Sequence, residues 1–259
     1  MAYHSGELAV QQRAGVTSPR IGVHDTSPPV AAQFLAAQQV VIASSADADG
    51  RVWASLLAGE PGFARAVDWQ TVHITPAGGN EVFDGDAGLL AIEFATRRRM
   101  RINGRLHREG PTLVVETREV YSNCPQYITP QPIAIPSLGA AASGDALTEE
   151  QQAFIRGANT FFIATRHPEA GADASHRGGP AGFVQATADT ISWPDYRGNN
   201  MFNTLGNLAV DPRCGLLFTD FQRTLQVTGR ASIAWEGTTR RVDMRVEGVL
   251  YHAPCAAPR

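Results

Sequence analysis

The chain lacks lysine entirely: all 22 basic residues among its 259 are arginine. That absence excludes a Schiff-base lysine, a lysine general base and the Gly-Lys-Ser/Thr end of a Walker A loop. Any bound phosphate must be held by arginine, backbone N–H groups or small polar side chains. Cysteine is scarce too. Cys124, Cys214 and Cys255 form no CxxC pair, so neither a disulfide framework nor a structural zinc site is indicated, and a reducing cytoplasm is the default. The seven histidines show no metal-ligand spacing, so no metal is expected. No apolar run approaches the ~18 residues of a membrane span, and no basic-then-apolar leader opens the chain. A formal charge of −3 argues against nucleic acid or a membrane surface as partner.

What is present is a repeat. Val41-Ile42-Ala43-Ser44 matches Phe162-Ile163-Ala164-Thr165, and Ser55 to Phe63 matches Ser175 to Phe183. Gly88-Leu89-Leu90 matches Gly215-Leu216-Leu217, Met100 to Arg105 matches Leu225 to Arg230, and Val115, Glu116 and Tyr121 match Val246, Glu247 and Tyr251. Five matches in one order indicate two copies of a unit far longer than a solenoid repeat. The expected division is 1–130, a Pro/Ala/Ser/Gly-rich linker over 131–146, and 147–259.

Each unit reads mainly as strand, in short apolar runs and period-two alternations such as Met100, Ile102, Gly104 and Leu106. A capping box at Thr148–Gln151 predicts a helix toward Arg156, and a second is expected over Met201 to Ala209. The fold class is therefore mainly β (α+β), a tandem duplicated barrel with peripheral helices.

Four segments carry candidate chemistry. Ser175-His176-Arg177-Gly178-Gly179 offers donors beside glycines, read either as a site or as a polar turn; its first-unit counterpart, Ser55 to Gly59, lacks both His and Arg. Trp193 to Asn203 leads into the predicted helix. Arg197 with Gly198, Asn199 and Asn200 there reads as a phosphate cradle at a helix N-terminus, or as an ordinary N-cap in which Asn199 or Asn200 satisfies the first turn. Arg99, Arg101, Asn103 and Arg105 share one strand face, most simply a solvated one near Glu. Tyr121 to Tyr127 is a Pro-containing turn in which Cys124 is either a ligand edge or structural.

Three of these motifs, with Gly215-Leu216-Leu217-Phe218 and Val227 to Ala231, resemble the pyridoxamine 5′-phosphate oxidase-like, FMN-binding split-barrel family, in particular its flavin-nucleotide-binding branch. The resemblance implies a split β-barrel with FMN at a dimer interface. It implies that Ser175, His176, Arg177, Arg197, Asn199, Asn200 and Asn203 hold the flavin phosphate. A glutamine that contacts the flavin ring in related enzymes has no match near Thr224. Two fused units can mimic the family's dimer, so one good flavin site per chain is expected, with a wall from Arg99, Arg101, Arg105, Asn123 or Tyr127. A further homodimer stays open. The expected function is an FMN-dependent oxidoreductase acting on a small molecule, with NADH or NADPH a candidate electron donor. The alternatives are a flavin carrier or sensor, or a haem protein using His176 or His252.

Overall fold

The computed structural model describes residues 2–17, 22–122, 125–198 and 200–255. The first half holds helices α1 (Ser5–Arg13) and α2 (Pro29–Ala36) and strands β1 (Val40–Ala46), β2 (Val52–Ala58), β3 (Ala64–Ala66), β4 (Thr71–Ile74), β5 (Gly78–Gly79), β6 (Gly85–Glu93), β7 (Arg98–Glu109) and β8 (Thr112–Ser122). The second half holds β9 (Leu138–Gly144), α3 (Glu149–Gly157), β10 (Thr160–His167), β11 (Gly171–Gly178), β12 (Gln185–Ala186), β13 (Thr190–Pro194), α4 (Asn203–Val210), β14 (Arg213–Thr219), β15 (Thr224–Glu236) and β16 (Thr239–Pro254).

Two antiparallel sheets result, and their strand orders coincide. The first runs β3-β4-β8-β7-β6-β1-β2-β5 and the second β12-β13-β16-β15-β14-β10-β11, with β9 paired to β16. Without β5 and β9, the seven strands of one sheet map onto those of the other in sequence and in space. The fold is the duplicated, mainly β architecture expected.

The duplicated apolar runs are continuous because both faces of β1 and β10 are covered. Val41 and Ala43 point into the core of the first unit, Phe161 and Ile163 into that of the second. The alternate residues Ile42, Phe162 and Ala164 join Leu56, Leu90, Phe94, Leu217 and Phe221 in a third cluster between the units. Each large side chain buried there stabilises the pairing by roughly 1.5–3 kcal/mol.

Two equivalent glycines let the units approach. A Cβ on Gly88 would stand 2.6 Å from Asp173 Cα of β11, and one on Gly215 would stand 2.7 Å from Trp53 Cα of β2. The repeat extends to irregularities: β7 and β15 carry a register shift at Asn103/Gly104 and Thr228/Gly229 respectively.

The 131–146 stretch contains β9, hydrogen-bonded to β16 of the second sheet. Helix α1, at the start of the first half, packs on α4 of the second. A Cβ on Gly6 would lie 2.2 Å from Gly206 O, a backbone approach only glycine permits. Among the described residues no helix is long and apolar enough to cross a membrane.

A candidate anion site between the two units

β11 runs antiparallel beside β10, and at its end a cavity of 90 Å³ opens toward the first unit. Arg177 and His176 reach it from β11, Arg99 and Arg101 from β7, and Arg197 from the loop before α4. With Asp195, that makes four guanidiniums against one carboxylate. Segment 175–178 is thus a strand rather than a turn, and the cavity is shared between the units.

The arginines are held by an internal network. Arg101 is buried, and its Nη1 donates to Asp173 Oδ1 and Oδ2, both at 3.0 Å. Its Nη2 donates to Ser175 Oγ at 2.6 Å, and Tyr121 Oη donates to Asp173 Oδ1 at 3.3 Å. The solvated face expected for the β7 arginines is therefore wrong at Arg101, whose carboxylate comes from the other unit. Arg105 is exposed, at a cavity lined by Asp47, Asp84 and Asp86.

Ser175 is fully buried, and its hydroxyl also accepts from Arg177 Nη1 at 2.7 Å. It does not line the cavity but orients two guanidiniums that do. Arg177 Nη2 lies 3.8 Å from Asp195 Oδ1, while Asp195 is more tightly engaged by Arg240, Nε to Oδ2 at 2.9 Å. Burial, reinforced by Arg101 and Arg240, pulls the Arg177 pKa below its usual value despite Asp195. A bound dianion would relieve that charge surplus. Among the described residues no carboxylate pairs with Arg197.

His176 is not a cation here. Arg99 Nη1 lies 3.2 Å from its Nδ1, and guanidinium can only donate, so the ring proton sits on Nε2, which faces Thr160 Oγ1 at 3.5 Å. Burial, then the charges of Arg99, Arg177 and Arg101, hold its pKa well below the ordinary histidine value. With Nδ1 taken by Arg99 and Nε2 facing Thr160, neither ring nitrogen is left without a neighbour to ligate haem iron. His252 lies on β16 with Nδ1 at 3.0 Å from Gly139 O, in the strand pairing of β9 rather than at the cavity.

The rim is supplied by α4. The helix begins at Asn203 instead of Met201. Its N-cap is Phe202 in the left-handed region, with no side-chain cap, so Asn200 does not act as the cap. The first-turn N–H groups of Asn203, Thr204 and Leu205 face the cavity end, where the helix dipole favours an anion. Thr204 is 3% exposed, lines the cavity, and its Oγ1 has no hydrogen-bond partner. A buried hydroxyl without a partner costs about 1–3 kcal/mol, and a ligand oxygen would satisfy it.

Asn203 turns its side chain away, Nδ2 donating to Glu7 Oε1 at 2.7 Å, so it offers the cavity its backbone. Asn200 lines the cavity at φ 60°; Asn199, Asn123 and Cys124 lie outside the described residues. Tyr127 (φ 64°) and Phe202 (φ 59°) are also left-handed, so three strained residues surround one cavity, as is common where geometry serves binding. Tyr127 stacks on Tyr196 at 5.4 Å between centroids, forming a partly exposed aromatic rim. Gly178 permits this, since a Cβ there would stand 1.9 Å from Tyr127 O.

The counterpart position in the other half is filled. Leu56 and Leu57 stand where His176 and Arg177 do, and Gln226 stands where Arg101 does, donating to Ser55 Oγ at 3.1 Å and Ala54 O at 3.0 Å. Asn80 occupies the remaining space: its N donates to Leu56 O (2.8 Å), its Oδ1 accepts from Leu56 N (3.0 Å) and its Nδ2 donates to Thr224 Oγ1 (2.9 Å). Gly79 lets this segment lie on β2, since a Cβ would come within 2.1 Å of Leu56 O.

Residues 147–247, spanning β10 to β15 and most of β16, match the family model described as pyridoxamine 5′-phosphate oxidase. Over these residues the second unit is similar to the pyridoxamine 5′-phosphate oxidase-like split-barrel family. Solved structures similar to this chain include HupZ of group A Streptococcus (13% identity, 40% of this chain and 98% of that one, TM-score 0.33). A FAD-binding protein from Mesorhizobium loti is 9% identical over 44% of this chain and 98% of that one, TM-score 0.31. The K. pneumonia MrkH–c-di-GMP complex is 10% identical over 87% of each chain, TM-score 0.27. All three likenesses are distant. No curated protein matches.

Sequence reasoning missed Thr204 and Asn80. A threonine inside an apolar helical run reads as core, and its missing partner is visible only in space. Asn80 sits in a Gly-rich loop with no counterpart in the second unit.

Proposed function

We propose that the chain binds one FMN, with the flavin phosphate in the inter-unit cavity, and that it is an oxidoreductase for a small molecule. The observation that carries this reading is the unpartnered Thr204 hydroxyl, buried beside the uncapped first turn of α4 and facing four guanidiniums. Those donors fit a phosphoryl dianion. Arg177 and Arg197 would bind it as forked cations, the α4 N–H groups and Thr204 would complete its shell, and Ser175 would keep Arg177 aimed. The cavity volume suits a phosphoryl group, and the Tyr127–Tyr196 stack at the rim offers an aromatic face to the ring. When bound, FMN supplies hydride or single-electron chemistry, with NADH or NADPH as a candidate donor.

His176 takes no part as acid or base: it is neutral, and both nitrogens are engaged. The lack of a free acid or base at the cavity favours a second reading, a flavin carrier or sensor without turnover.

Titration of FMN into the purified protein, followed by flavin absorbance, tests the binding. One equivalent should bind, and Arg177→Ala should weaken it by about 10–100-fold, as expected for losing a charge-assisted hydrogen bond. A protein that takes up no FMN overturns the proposal. Reduction of the bound flavin by NADH or NADPH separates the enzyme from the carrier.

A further inference from the structure

Arg99 is a wall between two cavities. On its far side lies a chamber of 570 Å³ in the first unit, floored by Phe34, Met100 and Val120 and flanked by α2. Its rim carries Arg97, Arg98 and Arg99, and among the described residues no Asp or Glu lines it. The neighbouring cavities differ: Glu7, Glu119, Glu169 and Asp173 line one, and Asp47, Asp84 and Asp86 another.

The three arginines are not equivalent. Arg98 is neutralised by Glu93, Nη2 to Oε2 at 2.7 Å, and covers the Phe34 ring at 5.2 Å. Arg99 faces His176. Arg97 has no ion-pair partner among the described residues, and it sits at φ 56°, a backbone conformation disfavoured for arginine. An apolar floor beneath an unpaired guanidinium is complementary to an apolar body with one negative headgroup.

We propose that this chamber binds an anionic apolar small molecule, of the carboxylate or sulfonate class, with its headgroup on Arg97 and its body against Phe34, Met100 and Val120. The anion preference stands without the flavin. Only the further step, that the chamber holds the substrate of the adjoining flavin site, rests on the function proposed above.

The probe is anilinonaphthalene sulfonate, whose fluorescence reports transfer to an apolar site, added to the full chain. One equivalent should bind. Decanoate should displace it, and decyltrimethylammonium at the same concentration should not. Arg97→Asn removes the charge yet suits a left-handed backbone, and should weaken the probe by about tenfold. Val30→Glu, at an α2 position 73% exposed, adds a carboxylate to the rim without touching the core and should weaken it as well. Added FMN should leave probe binding unchanged. Equal displacement by both detergents, or no effect from either variant, overturns the anion assignment. Displacement of the probe by FMN shows instead that the flavin itself fills the chamber and overturns the substrate step. Failure of FMN to bind leaves the probe result intact and refutes only the function above.

Discussion

The two halves share strand order, bulges and packing glycines, yet one position at their interface is an open cationic cavity and its counterpart is filled. The difference comes down to a few side chains. His176 and Arg177 answer to Leu56 and Leu57, and Arg101 answers to Gln226. On the filled side Asn80 is hydrogen-bonded to the Leu56 backbone and to Thr224. On the open side Thr204 has an unmet hydroxyl and Arg177 an unbalanced charge. A duplicated chain can keep the paired architecture while specialising one site, because the interface needs both glycines and only one set of ligand groups.

The largest effect should come from the buried ion pair that distinguishes the sides. Arg101→Met leaves Asp173 buried without its cation and should cost about 3–5 kcal/mol in urea unfolding. The matching Gln226→Met removes only neutral hydrogen bonds and should cost about 1–3 kcal/mol. Equal costs would mean that the two sides are held alike. Next, Gly88→Ala and Gly215→Ala should each destabilise by about 1–3 kcal/mol, since both push a Cβ into the opposite unit's backbone. A loss at one position only would break the pseudo-symmetry of the interface.

His176 adds a pH dependence that Leu56 cannot. Its folded pKa lies below the unfolded value of about 6.5. The unfolded chain therefore binds more protons on acidification, and this contribution is lost as pH falls below about 6.5, by up to about 1.4 kcal/mol per pH unit. Unfolding of His176→Leu over the same range should show a shallower slope; an unchanged slope would place the dependence elsewhere. The smallest effect on stability is expected at Thr204. Thr204→Val removes a hydroxyl with no partner and should leave stability unchanged or slightly raised, yet weaken FMN by about tenfold. A variant that loses stability without losing FMN would make that hydroxyl structural.

Much of the fold was legible because both faces of the central strands are buried and because the duplicated motifs recur in order. Gly88 and Gly215 could be matched by eye, although their reason, a neighbouring backbone within van der Waals distance, could not. The site was legible as a set of residues: Arg177, Arg197 and Asn200 do come to one cavity, with Arg99, Arg101 and Tyr127 from the first unit. Their roles were less so. Ser175 and His176 read as ligands because they are polar beside glycines, but burial turns Ser175 into a pin for two arginines and His176 into a neutral acceptor. Asn203 read as a phosphate ligand, yet its amide is taken by Glu7, 196 residues away in sequence, on a helix with no detectable signal of where it would dock. Arg101 read as solvated because its carboxylate lies 72 residues away.

The central claim is that one half binds flavin and the other has closed its site. Flavin content per chain after saturation with FMN tests it directly. The account predicts one FMN per chain, held about 10–100-fold more weakly after Arg177→Ala and unaffected by Asn80→Ala; two FMN per chain, or none, would contradict it.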